Sequence, residues 1–301
     1  AGTRVVLDPL LGCTVRGITP PCEWCAAGQP GLCLRTAEGG FAPGPMIGFC
    51  SDLPGGWADE MVAHRSQLHV VPEGLTDETA VMVEPLAVAL HGVLAGPPAD
   101  DARVLVIGGG TLGLCTLAAL RLAAPAADVF VLARHPAQRR LAERLGATAV
   151  VTAAVQAAVE RAGARRYRSL VGEDVLTGGF DQVYDAVGST RSLDAAVRVT
   201  APRGRLVLIG GPGHLAGLDW TLVWTRELRV AGTYVYGREA GVDGEPHTMD
   251  LAMRLLVTRP DLSLGELVTH RFRLDEWRSA MAAALDRRRS GAVKIAFAPA
   301  G

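Results

Sequence analysis

The chain has 301 residues, of which 49% are hydrophobic and 20% are charged, and this composition excludes an intrinsically disordered protein. Lysine plus arginine number 30 against 31 for aspartate plus glutamate, so the formal net charge of −1 disfavours a nucleic-acid partner. Apolar runs are broken by Gly, Thr or Arg well before the roughly 18 residues of a membrane span. We therefore expect a cytoplasmic protein of two domains, with no membrane or nucleic-acid partner.

The chain begins at Ala1 and enters the strand-like segment Thr3–Leu7 at once, without the charged start and apolar block of a signal peptide. Such an opening is typical of a sequence that starts part-way through a domain. We expect that upstream residues are missing.

Four of the six cysteines lie in one Gly- and Pro-rich segment: Cys13, Cys22, Cys25 and Cys33. Their spacing is C-x8-C-x2-C-x7-C, and the segment cannot form a core of its own. Four thiolates close a tetrahedron around Zn²⁺ and leave no open position for chemistry, so the cluster predicts a structural zinc site. The alternative is a pair of disulfides or free thiols, and the lack of secretory features disfavours the disulfides.

The remaining cysteines and histidines give weaker signals. Cys115 lies in an apolar helical run and is predicted to be a packed core residue, whereas Cys50 has no partner that the sequence identifies. His91 is more typical of a packed helix residue than of a ligand. No spacing typical of a site connects the histidines His64, His69, His214, His247 and His270.

The central third of the chain has the pattern of a nucleotide-binding unit. A short buried-type strand, Arg103–Ile107, runs into the sequence Gly-Gly-Gly-Thr-Leu-Gly at 108–113, which fits G-x-G-x-x-G. An apolar helix from Leu114 to about Leu122 and a second strand at Asp128–Leu132 follow. This strand-turn-helix-strand context predicts a dinucleotide site of the Rossmann type.

Three glycines of this turn have separate roles. Gly108 permits the tight turn, Gly110 lets the backbone approach a pyrophosphate, and Gly113 lets helix and strand pack closely. Thr111 and Leu112 lie between them at the approach to the helix N-terminus, which offers N–H groups and a partial positive charge to the phosphates. We predict that all five residues bind the cofactor.

The end of the second strand bears on the choice of cofactor. An acidic residue at this point would bind the ribose 2′-hydroxyl of NAD, but the position is occupied by Ala133. Arg134 and His135 follow, with Arg139 and Arg140 one turn into the next helix, and a guanidinium pairs well with a 2′-phosphate. We therefore predict NADP(H), with Arg134, His135 and Arg139 in its site. NAD(H) is the alternative, in which these arginines only form a solvated helix face.

The α/β alternation continues to about residue 236. We predict a strand and turn at 180–188, strands at 205–209 and 228–236, helices at 153–163 and 193–199, and a loop at 165–179. Ligands bind beyond the carboxyl ends of such strands, so Val187, Gly188 and Gly210 are predicted at the cofactor rim. The predicted fold class is α/β, with a Rossmann doubly wound parallel sheet.

Together these residues resemble the zinc-containing medium-chain dehydrogenase/reductase family, whose members include alcohol, sorbitol, glucose and threonine dehydrogenases. Glu84–His91 closely resembles the stretch that leads to that family's cofactor domain, and the opening at 2–6 and the ending at 291–294 are similar as well. The cysteine cluster is similar to the structural-zinc loop, with a first gap of eight residues in place of the usual two. Cys13 is therefore the ligand that departs from the family pattern.

The resemblance implies a partial GroES-like β-barrel catalytic domain in addition to the Rossmann domain. We expect the catalytic domain at 1–90 with its zinc lobe at 12–34, the NAD(P)-binding domain at 91–237, and a C-terminal part at 238–301 that returns to the catalytic domain. The resemblance also implies a homodimer or homotetramer.

The resemblance places Glu84 at the catalytic zinc, as a ligand or near neighbour. On the sequence alone, Glu84 is also explained as a charge at a helix N-terminus, which the helix dipole favours. The family's other ligands come from an upstream Cys and a Gly-His-Glu segment, and this sequence contains no Gly-His-Glu. Val235 stands where sorbitol dehydrogenases carry an Arg that contacts the polyol, which argues against polyol oxidation.

The implied function is that of a zinc-dependent oxidoreductase, which transfers a hydride between a small alcohol, aldehyde or ketone and NADP(H). The second hypothesis is a non-catalytic NADP(H)-binding protein with a structural zinc and a lost active site. A third hypothesis, a zinc-free quinone reductase of the same superfamily, is disfavoured by the cysteine cluster. The sequence does not name the alcohol.

Overall fold

The computed structural model describes residues 2–168 and 174–298. In chain order, its strands are β1 (Val5–Leu7), β2 (Leu68–Val70), β3 (Arg103–Ile107), β4 (Asp128–Leu132), β5 (Ala149–Val151), β6 (Arg165–Tyr167), β7 (Val175–Thr177), β8 (Phe180–Asp185), β9 (Thr200–Leu208), β10 (Arg229–Gly232), β11 (Val268–Phe272) and β12 (Lys294–Phe297). Its α-helices are α1 (Glu23–Ala26), α2 (Asp77–Ala80), α3 (Val83–Leu94), α4 (Thr111–Ala123), α5 (Pro136–Arg144), α6 (Ala154–Arg161), α7 (Thr190–Val199), α8 (Thr221–Thr225), α9 (Thr248–Thr258), α10 (Trp277–Leu285) and α11 (Arg287–Ser290). Short 3-10 turns lie at Pro30–Leu32, Arg65–Gln67, Leu264–Leu267 and Leu274–Glu276. Among these helices, none has both the length and the apolar character to cross a membrane.

The chain divides into two compact units. The first unit comprises the residues up to 87 together with those from 234 onward, and the second comprises residues 88–233. The boundaries expected at 90 and 237 lie within four residues of these limits. The chain therefore leaves the first unit once and returns to it once.

The second unit is built on a six-stranded parallel sheet in the order β10-β9-β8-β3-β4-β5. Strand β3 is buried along its apolar run, as a strand of a parallel sheet covered on both faces should be. Its side chains Leu105 and Ile107 pack with Phe130 and Phe180 in one core. The strand order reverses between β3 and β8, and doubly wound sheets bind their ligands at such a point. The predicted α/β fold class is confirmed.

The predicted loop at 165–179 is wrong in part. Strands β6 and β7 pair as an antiparallel hairpin, in which Arg166 Nε donates to Asp174 Oδ2 at 2.6 Å. All three residues of β6 are exposed, so they lack the apolar alternation by which a strand is recognised in sequence. Residues 169–173 of the predicted loop lie outside the described residues.

Two strands of the second unit differ in length from the prediction. Strand β10 ends at Gly232, before the predicted end at 236. The predicted extension cannot be extended throughout, because Val235 has a φ of +50°. Strand β9 begins at Thr200, well before the predicted start at 205. The prediction missed its first residues because they are too polar to be recognised as a strand.

Helices α4 and α7 begin one turn before the apolar residues that predicted them. Gly110 is the N-cap of α4, and Ser189 is the N-cap of α7. The Ser189 Oγ accepts a hydrogen bond from the Ser192 amide at 3.1 Å, which satisfies one of the unpaired donors of the first turn. Capping therefore sets these boundaries, and apolar periodicity alone does not.

The first unit contains two short sheets among its described residues. Strand β1 pairs antiparallel with β2, and β11 pairs parallel with β12. The segment 12–34 holds only helix α1 and one 3-10 turn, and its buried cluster consists of Cys13, Ile18 and Cys33. This segment, which we call the cysteine lobe, therefore has almost no apolar core.

Candidate functional site

The four cysteines of the cysteine lobe come together. Their Sγ atoms lie within 4.8 Å of one another, with Cys13 and Cys33 3.7 Å apart and Cys22 and Cys33 4.0 Å apart. Thiolates at about 2.3 Å from one tetrahedral Zn²⁺ are about 3.8 Å apart, so this spacing fits a zinc ion. A disulfide needs about 2.05 Å, and all the cysteines are free. The disulfide alternative is therefore not realised in this structure.

Backbone N–H groups point at the sulfurs. The amide of Cys13 donates to Cys25 Sγ at 3.3 Å, that of Cys22 to Cys13 Sγ at 3.3 Å, and that of Arg35 to Cys33 Sγ at 3.4 Å. Burial raises the pKa of the Cys25 and Cys33 thiols. Burial also acts on Cys22, but hydrogen bonds from backbone N–H groups outweigh it and lower the pKa of that thiol to about 6. One thiol thus ionises readily, and a bound cation would favour ionisation of the others.

Arg16 gives a physical reason for the long gap between Cys13 and Cys22. Its side chain is 2% exposed and donates at 2.6–3.1 Å to the backbone carbonyls of Leu11, Glu38, Phe41, Ala42 and Gly44. One of these carbonyls lies before the cysteine cluster in the chain and the others lie after it. The longer gap between Cys13 and Cys22 thus contains an arginine whose hydrogen bonds join the two sides of the cluster. A buried guanidinium is tolerated only when its donors are satisfied, and backbone carbonyls satisfy them at this position.

The glycine turn lies at the carboxyl end of β3 and leads into α4. Gly108 has a φ of +112°, which L side chains rarely adopt, and a Cβ there would lie 2.7 Å from Val187 Cγ2. A Cβ on Gly113 would lie 1.8 Å from the carbonyl oxygen of Gly108, so only glycine fits. Gly110 caps α4, and the next two residues, both predicted at the cofactor, open the helix. The N–H groups of this first turn offer a site for an anion.

Asp185 shapes the predicted rim and was not foreseen. It ends strand β8 at 1% exposure, and its Oδ1 accepts from the amides of Val187 at 2.9 Å and Gly188 at 3.3 Å, while Ser192 Oγ donates to Oδ2 at 3.0 Å. Burial raises the pKa of the Asp185 carboxyl, and these hydrogen bonds partly offset the rise. A Cβ on Gly210 would lie 2.6 Å from the Val187 nitrogen, so the structure brings the three rim residues together. The sequence feature that could have indicated this role is an acidic residue at the end of a buried strand.

The residues after β4 differ in their surroundings. Ala133 is fully buried, whereas Arg134 and Arg140 are exposed and His135 is half-buried. Arg139 donates to the carbonyl of Ala133 at 3.2 Å and to that of Arg134 at 3.1 Å. The Arg139 guanidinium therefore binds backbone carbonyls at the end of β4. Of the three residues predicted to bind the 2′-phosphate end of the cofactor, Arg134 is the one that is exposed.

Glu84 lies in the first turn of α3, in the first unit. Burial raises the pKa of its carboxyl, and the Lys294 charge and the Tyr236 hydroxyl partly offset the rise. Tyr236 is 1% exposed, and its hydroxyl donates to Asp8 Oδ1 at 3.4 Å. Glu84 is therefore part of a buried polar network, which a solvated charge at a helix N-terminus would not be.

A further group of metal-type ligands was missed by the sequence. Asp8, His69 and His247 each bring one ligand atom to within 4.8 Å of the others. They come from the end of β1, from β2 and from the N-cap of α9, which are distant in the chain. No spacing rule connects residues so far apart, so the two histidines gave no signal. The pairing of β1 with β2 was the one feature that could have joined Asp8 to His69.

Comparison with known proteins gives concordant results. Residues 111–257 match the family described as zinc-binding dehydrogenase. Sorbitol dehydrogenase of Arabidopsis thaliana is 24% identical over 298 residues, which cover 98% of this chain and 73% of the relative. L-Threonine 3-dehydrogenase of Pectobacterium carotovorum subsp. carotovorum (strain PC1) is 27% identical over 270 residues, which cover 90% of this chain and 69% of the relative. The solved structure of a zinc-binding dehydrogenase from Sinorhizobium meliloti 1021, bound to NADP, has a TM-score of 0.74 and 28% identity and covers 99% of this chain and 77% of that one.

The second unit has a doubly wound sheet with a glycine turn at its switch point, and the similar proteins are dehydrogenases. Together these findings indicate an alcohol-dehydrogenase-like oxidoreductase that uses zinc and a nucleotide cofactor. Within that class, the chain is similar to the zinc-type medium-chain dehydrogenases. The comparisons give no support to the non-catalytic alternative.

Proposed function

We propose that this dehydrogenase oxidises or reduces a small alcohol, aldehyde or ketone with NADP(H) as its hydride carrier. The observation that carries the choice of cofactor is the end of β4, where Ala133 takes the place of an acid and Arg134 is exposed. An acid would repel a 2′-phosphate, whereas a guanidinium pairs with one. The NADP in the Sinorhizobium meliloti structure supports the same choice.

The residues of the second unit have separate parts in this proposal. The turn Gly108–Gly113 binds the diphosphate through its N–H groups, and Arg134 pairs with the 2′-phosphate. His135 and Arg139 belong to the same end of the site. Val187, Gly188 and Gly210 form the rim, which Asp185 holds in shape. The bound nicotinamide supplies or accepts the hydride, and the protein orients it.

The cysteine lobe is proposed to hold a structural zinc ion. The sulfur spacing and the free thiols of Cys13, Cys22, Cys25 and Cys33 fit a closed four-thiolate shell. Such an ion cross-links the lobe and has no open position for a substrate. Cys13 is the ligand that departs from the family pattern, and Arg16 in the longer gap after it joins the chain before the cluster to the chain after it.

Glu84 is proposed to lie at the catalytic zinc that the family uses. Burial raises the pKa of its carboxyl, and the charge of Lys294 and the Tyr236 hydroxyl favour the charged form that a metal ion would bind. Among the described residues, no group of metal ligands includes Glu84, and the sequence has no Gly-His-Glu. The described residues therefore do not complete a catalytic zinc shell.

The cofactor proposal is tested by calorimetric titration of NADPH and NADH into the wild type, Arg134→Ala and Arg140→Ala. We expect NADPH to bind more tightly than NADH to the wild type. Arg134→Ala should weaken NADPH binding by about tenfold and leave NADH almost unchanged, because a charged hydrogen bond contributes about 1.5 kcal/mol or more. Arg140 is the matched control, since it is exposed one turn into α5. Tighter binding of NADH to the wild type would contradict the proposal.

The substrate class is tested on a panel of alcohols, aldehydes and ketones with both cofactors. Sorbitol and L-threonine belong in the panel because dehydrogenases of these compounds are among the relatives. Val235 predicts that polyols are poorer substrates than simple alcohols. Binding of NADPH without turnover of any member would favour the non-catalytic alternative.

We also propose a homodimer or homotetramer in the cytoplasm. Strand β10 has β9 as its one neighbour in the described sheet, and Trp224 of the preceding helix α8 is 80% exposed. An open sheet edge beside an exposed aromatic residue is typical of a surface covered in an assembly. Light scattering of the purified protein tests this, and a monomer at all concentrations would contradict it.

A further inference from the structure

The group formed by Asp8, His69 and His247, which we call the histidine cluster, contains neither a cysteine nor Glu84. All three residues belong to the first unit. Their side chains are 8%, 10% and 19% exposed, in that order. Polar groups this buried normally have partners, so their hydrogen bonds can be followed atom by atom.

His69 has one nitrogen with a partner and one without. Its Nδ1 lies 2.8 Å from Asp250 Oδ1, and a carboxylate accepts, so Nδ1 carries the proton of the neutral ring. Its Nε2 then has a free lone pair, and this atom is buried without a hydrogen-bond partner. A histidine oriented by a carboxylate through one nitrogen, with the other nitrogen available, has the arrangement of a metal-binding histidine.

The gap between Asp8 and His247 is too wide for a direct hydrogen bond. Asp8 Oδ1 accepts from the Leu10 amide at 2.9 Å and from the Tyr236 hydroxyl at 3.4 Å. Its Oδ2 lies 3.6 Å from His247 Nε2. Two ligand atoms at about 2.0–2.1 Å from one tetrahedral ion are about 3.4 Å apart, so the gap is close to that of two atoms that share a cation.

We propose that Asp8, His69 and His247 bind a divalent transition-metal ion, with Asp250 as the residue that positions His69. Two imidazoles and one carboxylate suit Zn²⁺ or a similar ion, whereas Mg²⁺ and Ca²⁺ prefer an all-oxygen shell. The rings of His69 and His247 are tilted by 30° with their centroids 4.5 Å apart, and each residue of the cluster has a ligand atom within 4.8 Å of the others. This site is independent of the cofactor proposal.

Metal binding requires a change at the start of α9. His247 Nδ1 accepts from the Met249 amide at 3.3 Å, so the proton of the neutral ring is on Nε2. Coordination through Nε2 moves that proton to Nδ1 and releases the Met249 amide. The released cap bond is long, so its loss is a small cost beside coordination. The Met249 amide is therefore a reporter of the bound state.

The proposal is tested with Co²⁺ added to the whole chain after one equivalent of Zn²⁺ has filled the thiolates. We expect a further ion to bind with visible d–d bands and without the sulfur-to-cobalt charge-transfer band of a thiolate site. Asp8→Asn and His69→Ala should weaken this binding by more than tenfold, because the first removes the negative charge of a ligand and the second removes one of the two imidazoles. His214→Ala, a change at an exposed histidine, should leave it unaltered.

A second measurement does not depend on the variants being folded. In the wild type, Zn²⁺ should shift the imidazole signals of His69 and His247 and the amide signal of Met249 in nitrogen-15 NMR spectra. The exposed imidazole of His64 should not shift. The absence of a further ion, or His69 signals that stay in place at saturating Zn²⁺, would overturn the proposal.

Discussion

The glycine turn and the cysteine lobe are both short segments rich in glycine, but different forces hold them. The turn at 108–113 is built on a six-stranded sheet, and its shape follows from close contacts between backbone atoms. The cysteine lobe at 12–34 has a buried cluster of Cys13, Ile18 and Cys33, and little else. Its shape depends on the four sulfurs and on the guanidinium of Arg16.

This difference separates the ways in which each segment fails. A structure held by ligands is lost when a ligand or the ion is removed, whereas a structure held by packing is lost when an atom is added. Separate variants can therefore remove a ligand from the cysteine lobe or add an atom to the packed glycine turn.

The largest effect is expected for Cys25→Ser. Four-thiolate zinc sites in small domains have apparent binding free energies of about 10 kcal/mol or more, and the lobe has no core to replace that energy. We expect one zinc ion fewer per chain and loss of hydrogen-exchange protection at 12–34, while strands β3 and β8 keep theirs. Mass-spectrometric hydrogen exchange and metal analysis measure both. Cys50→Ser is the matched control, because Cys50 is a buried cysteine whose Sγ donates only to the carbonyl of Ala42.

Arg16→Met should be the next largest change. It keeps most of the side-chain volume but removes the donor of four buried or part-buried carbonyls, those of Leu11, Glu38, Phe41 and Gly44, for which we expect a loss of about 3–5 kcal/mol in the free energy of unfolding. Denaturant unfolding of the zinc-loaded protein measures it. Arg35→Met is the control, since Arg35 forms a 2.8 Å salt bridge with Glu38 at the surface and such pairs contribute about 0–1 kcal/mol. Equal effects of the two variants would show that Arg16 does not hold the lobe.

Gly113→Ala tests the opposite kind of support. The added Cβ would lie 1.8 Å from the Gly108 carbonyl oxygen, so the turn and α4 must separate. Overpacking costs about 1–3 kcal/mol in stability, and if the displaced turn loses a similar amount of its interaction with the diphosphate, NADPH binding weakens by roughly 5- to 160-fold. Gly232→Ala has open space around its Cβ and serves as the control in the same titration. Unchanged NADPH affinity in Gly113→Ala would remove the turn from the cofactor site.

The sequence indicated the glycine turn and the cysteine cluster because their residues are neighbours in the chain. Glycine at 108 is demanded by its positive φ and glycine at 113 by the nearby Gly108 carbonyl oxygen, and cysteine is chemically distinctive wherever it occurs. The parallel sheet was likewise recognisable from buried apolar strands such as β3. By contrast, the exposed strand β6 carried no apolar signal.

The parts that the sequence missed are assembled from distant segments. Arg16 is one of many arginines in the sequence, and its carbonyl partners have no side-chain identity that a pattern could show. The histidine cluster joins the end of β1 and the middle of β2 to the start of helix α9, which lies much later in the chain. Only the folded chain shows that Asp8, His69 and His247 are neighbours.

The smallest effect on stability is expected for Asp250→Asn, which removes the charge that positions His69. The hydrogen bond from His69 lowers the pKa of the Asp250 carboxyl below its ordinary value of 3.8. The stabilisation is therefore complete above that value and is lost as the pH falls through the lowered pKa. Because the Asp250 side chain is 49% exposed, we expect a difference of about 0.5 kcal/mol or less at pH 7, which disappears once the pH has fallen below the lowered pKa.

The same variant separates positioning from stability in the histidine cluster. Loss of a carboxylate that orients a ligating histidine weakens metal binding by about 10- to 100-fold, far more than a change of 0.5 kcal/mol or less in folding would. Thermal unfolding and the cobalt titration, made on one preparation of Asp250→Asn, give both quantities. A stability loss with unchanged cobalt affinity would mean that the bond between His69 and Asp250 only joins β2 to α9. A large loss of affinity with nearly unchanged unfolding would show that Asp250 acts on the metal through His69.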